Sequence, residues 1–239
     1  MACSGKSPEM SWQAEEYYHY AKDKYDNEDY WESSNDFNIV ILRFPGSSVA
    51  DSAQYYLGCS HYFMDEFIIA AAEFKKLINN MPRSPLVPDA QFMMAESYYQ
   101  MSPRAELDQE YTNKAIQEYQ LFVEDFPSHA KREEVEKKLV ELRDKLARKQ
   151  LLNAELYRKM HEFRSSLIYY DIVLEQYYDT DFADDAQYGK ALAYYDLDNY
   201  QKAKEELLTF KDKFPNSNLS IKVEKKLKDV LRRIEDNLD

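Results

Sequence analysis

The chain has 239 residues, with 31 Lys and Arg against 44 Asp and Glu and a formal net charge of −13. That balance argues against a nucleic-acid surface, which needs a basic stripe to displace counterions, and no apolar run approaches the length of a bilayer span. Four glycines and no sustained period-two alternation point to an all-helical chain, in which 21 tyrosines exceed what a small helical core needs.

Residues 1–10 read as a flexible leader containing Cys3. That cysteine is either an incidental exposed thiol or, preceded by the small Ala2, the lipid acceptor of a lipoprotein. From about Ser11, which is placed to cap the first helix, to Pro45 the pattern reads as two short helices. The segment Asp51–Pro82 repeats it, with apolar-periodic stretches joined by the polar pair Asp65-Glu66. Phe44-Pro45-Gly46-Ser47-Ser48 returns as Met81-Pro82-Arg83-Ser84, Phe126-Pro127-Ser128 and Phe214-Pro215-Asn216-Ser217. Proline cannot continue a helix and the hydroxyls that follow can cap the next, so each run marks a boundary. Ser102-Pro103 opens an insertion expected to add a turn or a protruding loop. Lys131 to His161 reads as one long helix, with Val135, Leu139, Leu142 and Leu146 along one face and acid-first i,i+4 pairs such as Glu134–Lys138. Asn218 to Leu238 reads as a last helix with Ile221, Leu227, Leu231 and Ile234 turned inward and a polar back.

The spacing of these elements is regular. Small residues recur in the first helices as Ala21, Gly58, Ala95, Ala154 and Ala191, and in the second helices as Ser33, Ala70, Ala115, Ser166 and Ala203. Large residues follow as Phe37, Phe74, Tyr119, Tyr170 and Leu207, and the ends fall at Pro45, Pro82, Pro127, Tyr178 and Pro215. The first-helix markers and the ends both step by 37 residues between the first two repeats and between the last two. The third repeat carries 8 extra residues between its helices, and 14 more precede the fourth. The pattern resembles that of tetratricopeptide (TPR) repeats, whose small residues let two antiparallel helices cross closely. The expected fold is therefore all-α: a superhelical solenoid of five TPR helix hairpins plus a C-terminal capping helix.

Little in the sequence is catalytic. The four histidines stand singly in different repeats, with no HExxH, no ligand-spaced Cys/His pair, no phosphate loop and no G-x-S-x-G turn. No cofactor or metal is expected, and the enzyme class is set aside. The first helices are more informative, because residues seven apart share a helix face. On that face stand Tyr18 and Tyr25, Tyr55 and Tyr62, and Phe92 and Tyr99 in three consecutive repeats. The fifth repeat offers Tyr188 and Tyr195, and the fourth breaks the series with Leu151 and Arg158. Such rings either pack between neighbouring helices or form a binding ladder. Tyrosine, with an apolar face and a polar tip, suits an extended peptide, which Lys22 and Glu96 are placed to orient.

Five repeats with these two interruptions, the run Lys138 to Lys149 followed by Ala154-Glu155-Leu156-Tyr157, and Cys3 together resemble the BamD (YfiO) family. These are TPR lipoproteins of the bacterial outer-membrane β-barrel assembly (BAM) machinery. The resemblance implies a lipid anchor at Cys3 on the periplasmic face of the outer membrane, which would be the only membrane attachment. It implies N-terminal repeats that recognise the aromatic-ended C-terminal segments of unfolded outer-membrane proteins. It also implies C-terminal repeats that dock on a POTRA domain of the barrel subunit BamA, among other BAM subunits. The family's basic character is not visible around Tyr169 to Leu174. On this reading residues 1–10 are the anchor leader, 11–127 the peptide-binding repeats and 128–239 the docking repeats. The alternative is a periplasmic TPR adaptor of another envelope complex, such as a cell-division or Tol-type coordinator.

Overall fold

The computed structural model describes residues 11–237, and among them every regular element is an α-helix. In order these are α1 (Ala14–Asp26), α2 (Tyr30–Arg43), α3 (Ala50–Phe63), α4 (Phe67–Asn80), α5 (Val87–Gln100) and α6 (Glu110–Asp125). They are followed by α7 (Arg132–Lys159), α8 (Phe163–Gln176), α9 (Ala183–Asp196), α10 (Tyr200–Lys213) and α11 (Ser220–Asp236). The chain forms two compact units. One holds residues up to 103 together with 109–139, and the other holds 104–108 and 140 onward. Helix α7 runs unbroken for 28 residues, and its first turns belong to the N-terminal unit.

The repeat arithmetic translates directly into packing. Every small marker of the first and second helices is buried, and Phe37, Phe74, Tyr119, Tyr170 and Leu207 have essentially no exposed surface. Small residues let one helix approach, and the large residue of its partner fills the crossing. The first-to-second helix turns close in one way in four of the five repeats. Glu28, Asp65, His161 and Asp198 adopt left-handed φ values of 64, 59, 63 and 55°. In each case the next residue's N–H bonds back to a carbonyl five positions earlier, as Glu66 does to His61 at 2.9 Å. This is the Schellman closure of a helix, made here without glycine.

A second register device is not visible in the apolar spacing. The amides of Gln54, Gln91 and Gln187, each four residues before a first-helix marker, donate to the carboxylates of Glu73, Glu118 and Glu206 at 2.8, 2.7 and 2.6 Å. Each acid precedes the large residue of the second helix, so repeats two, three and five carry the same polar pair, each with a buried glutamine. Pairing satisfies groups that would otherwise be costly to bury.

Several expectations are corrected. Ser11 does not cap the first helix: α1 starts after Gln13, whose N–H donates to the Glu16 carboxylate at 2.8 Å. The boundary serines sit two residues ahead of the helix caps rather than at them. Ser84 and Ser217 accept from the N–H of Leu86 and Leu219 at 3.2 and 3.0 Å. The insertion does not simply protrude, because Ala105 is buried and Lys149 donates to the carbonyl of Leu107 at 2.8 Å. In α11 the inward stripe is Val223, Leu227, Val230 and Ile234, whereas Ile221 is 83% and Leu231 39% exposed. The two valines complete a 3.6-residue stripe with Leu227 and Ile234 that Ile221 and Leu231 miss.

The boundary serines also link repeats. Ser84 donates to Asp51 at 2.6 Å and Ser217 to Asp184 at 2.5 Å, each 33 residues back. The same step from Ser47 reaches Ala14, and the Ser47 hydroxyl is buried without a partner. Ala14→Asp is therefore expected to stabilise the fold by about 1 kcal/mol, through a satisfied hydroxyl and an acid in the first turn of α1. The midpoint of thermal unfolding checks this, and a lower midpoint than wild type would contradict it.

Candidate functional site

In the N-terminal unit α1, α3, α5 and the first turns of α7 present one continuous surface. Tyr18 and Tyr25 come from α1, Tyr55 and Tyr62 from α3, and Tyr99 from α5, and all five are half-buried. Phe92 differs: it is 4% exposed and lies beneath the ammonium of Lys131, 3.7 Å from the ring centroid. It forms the floor of the surface rather than a contact. The rows are tied together by Tyr56, which the seven-residue spacing passes over. Its ring lies 6.3 Å from Tyr18, 5.0 Å from Tyr25 and 5.6 Å from Tyr55. Phe63, 51% exposed, likewise extends the patch from Tyr62 (5.6 Å) to a stacked contact with Tyr30 (5.1 Å). The doublets Tyr55-Tyr56 and Tyr62-Phe63 were the available signal, since adjacent residues on a helix reach neighbouring crossings.

Polar groups behind the rings hold them in place. Cys59 is buried, and Tyr25 and Tyr55 pack against the cluster that contains it. Burial pushes its thiol up to about 12, so it remains protonated and unreactive at neutral pH. Burial likewise raises Tyr18 to about 12 and moves Tyr25, Tyr55 and Tyr62 upward. Gln100 donates to the Tyr62 hydroxyl at 3.2 Å.

The groups expected to orient a peptide are otherwise engaged. Glu96 is 6% exposed and accepts from both the Tyr119 hydroxyl and the Lys138 ammonium. Lys22 pairs with Asp26 at 2.5 Å and covers the Tyr56 ring at 4.8 Å. Two further cations lie against the rings: Lys131, over Phe92, and Lys138, 5.0 Å from the Tyr99 centroid.

In the C-terminal unit the corresponding face is different in kind. Leu151 is buried, and Arg158 pairs with Asp196 at 3.1 Å. Tyr195 packs on Tyr200 at 5.3 Å and lies under Lys226 at 3.9 Å. Cys3 lies outside the described residues. Among the described residues no group of three or more His, Cys, Asp or Glu could hold a metal ion, and no helix is long and apolar enough to cross a membrane.

A family model described as YfiO, outer membrane lipoprotein, matches residues 10–208. No curated protein matches the sequence. Among solved structures, a TPR repeats protein from Bacteroides fragilis is similar at 12% identity, over 90% of this chain and 98% of that one, with a TM-score of 0.49. The TPR2AB domain of yeast Sti1, in a complex with pHSP90, is similar at 12% identity, over 92% and 88% of the two chains, with a TM-score of 0.45. A TPR protein from Parabacteroides merdae is similar at 14% identity, over 94% and 75%, with a TM-score of 0.40.

Proposed function

This chain belongs to the YfiO family of outer membrane lipoproteins, and from that premise we propose that it is a non-catalytic scaffold of outer-membrane protein assembly. Its N-terminal unit binds the aromatic-ended C-terminal segments of unfolded outer-membrane proteins, and its C-terminal unit docks on a POTRA domain of BamA. The protein sits on the periplasmic face of the outer membrane, held by a lipid on Cys3. The observation that carries the substrate reading is the row of five half-buried tyrosines on α1, α3 and α5. Each keeps part of its ring accessible while its position is set from behind, so little side-chain entropy is lost when a peptide lands. The family match weighs against an adaptor of another envelope complex.

The test is anisotropy of a fluorescein-labelled decapeptide with alternating aromatic residues and a C-terminal Phe, titrated with the full chain. Tyr25→Ala/Tyr62→Ala/Tyr99→Ala is expected to weaken binding at least tenfold. The matching Tyr→Phe triple keeps most of the affinity, because the ring faces supply the contact. Unchanged affinity in the alanine variant, with its helical circular dichroism intact, would sink the proposal.

A further inference from the structure

Helix α11 carries Lys222, Lys225, Lys226, Lys228, Arg232 and Arg233 in 17 residues, in a chain whose net charge is −13. All of it lies beyond the residues matched by the family model, which end at 208. An open cavity of about 680 Å³ in the C-terminal unit is lined by Tyr188 of α9 and by Lys222, Lys225, Lys226, Lys228 and Arg232 of α11. Its one acidic lining residue, Asp229, is already neutralised, by Arg232 at 2.8 Å and Lys226 at 3.4 Å. Lys222, Lys225 and Lys228 have no carboxylate within 4 Å among the described residues. Three ammonium groups without a salt-bridge partner therefore rim a concave surface beside a half-buried tyrosine, with Lys222 also facing Asp185 of α9. A terminal helix that only had to stay soluble would balance its charges along the polar face.

We propose that this trough is a binding site for an extended acidic segment of a partner protein. The spread of charge sets the shape of the ligand. From Lys222 to Arg232 the helix rises about 15 Å, a span that one phosphate or carboxylate cannot bridge but about five extended residues can. The geometry disfavours a lipid surface, because an amphipathic helix lying on a membrane turns its apolar face to the lipid. In α11 that face, with Val223 and Val230 fully buried, packs in the core with Leu207 and Phe210 of α10. The cations also border a hollow rather than a flat face. The site is separate from the tyrosine surface and does not rest on the peptide reading given for it.

Fluorescein-labelled hexaglutamate titrated with the full chain at low ionic strength tests the proposal. Wild type is expected to bind, with affinity falling steeply as salt is added. Lys222→Glu/Lys225→Glu/Lys228→Glu should bind at least tenfold more weakly. Lys202→Glu/Lys204→Glu/Lys213→Glu on α10 makes the same charge change elsewhere and should stay within about twofold of wild type. Equal loss in both triples overturns the site in favour of overall charge, and no binding by wild type overturns it outright. Binding of wild type to anionic phospholipid vesicles but not to the peptide would make the occupant a membrane. Self-association by sedimentation that only the α11 triple abolishes would make it a second copy of this chain. The Tyr25, Tyr62 and Tyr99 alanine variant should bind hexaglutamate normally, which separates failure here from failure of the tyrosine surface.

Discussion

Lys138→Met is expected to destabilise the N-terminal unit by about 3 kcal/mol, and adding Glu96→Gln to it should recover most of that loss. The reason is the position of Glu96, 6% exposed on α5 and held by the Tyr119 hydroxyl and the Lys138 ammonium. Lys138 also reaches Glu134 at 3.1 Å and lies 5.0 Å from the Tyr99 ring centroid. Removing the ammonium leaves a carboxylate buried without its counter-charge, a change that typically costs roughly 3–5 kcal/mol when a pair is fully buried. The figure is set at the lower end because Lys138 keeps 20% of its side chain exposed. Glutamine at 96 removes the stranded charge and still offers Tyr119 an acceptor, so the two substitutions should be strongly non-additive. Urea unfolding followed by tryptophan fluorescence is the appropriate readout, because Trp12 and Trp31, the two tryptophans of the chain, both lie in the first repeat. Repeat arrays need not unfold in one step, so a probe confined to this unit reports the relevant transition. A double variant no more stable than Lys138→Met would show that the charge pair is not what holds α5 against α7.

The second large effect concerns two glycines. In an open helix Gly→Ala stabilises by roughly 1 kcal/mol, yet Gly58→Ala and Gly189→Ala are each expected to destabilise by about 2 kcal/mol. A Cβ at Gly58 would stand 2.7 Å from Cε1 of Phe74, and one at Gly189 would stand 2.4 Å from Cε1 of Tyr170. Both rings are fully buried, so they cannot swing aside, and overpacking of this kind costs roughly 1–3 kcal/mol. The physical claim is a steric one, so shortening the opposing ring should help. Gly189→Ala combined with Tyr170→Leu is expected to be more stable than the sum of the two single changes predicts. Thermal denaturation of the four proteins completes the cycle. A Gly189→Ala variant more stable than wild type would show that α8 and α9 separate easily at this crossing.

These two glycines also mark how far the sequence could be read. Gly58 was recognisable as the small residue of its repeat because it stands 37 residues from Ala21. Gly189 was not, because the equivalent position is occupied by Ala191 and nothing in the spacing calls for a second small residue two places earlier. The closer approach arises where α9 meets the ring of Tyr170 from the preceding repeat, and no local pattern contains that meeting. The Gln54–Glu73, Gln91–Glu118 and Gln187–Glu206 pairs, whose glutamines are buried, were hidden for a related reason. Polar residues at helical spacing look like a solvated face until the partner helix is in place.

The candidate site shows the same division. Tyr18, Tyr25, Tyr55, Tyr62 and Tyr99 could be placed on one face from their seven-residue spacing alone. Phe92 obeys the same spacing, but Lys131 lies across its ring. Glu96, one turn from both Phe92 and Tyr99, is drawn inward by Tyr119 and Lys138. Periodicity specifies which residues share a helix face, because the 3.6-residue turn is a property of the backbone. The sequence by itself thus determined the all-helical class, the five hairpins, the two insertions that interrupt their 37-residue step and the residues buried at each crossing. Only the tertiary structure decided which part of each face is covered by a neighbour. It alone turned Val223 and Val230 of α11 inward instead of Ile221 and Leu231, and left a lysine-rimmed hollow beside Tyr188. Burial depends on where a second helix crosses the first, and that crossing is set by contacts between residues far apart in the chain.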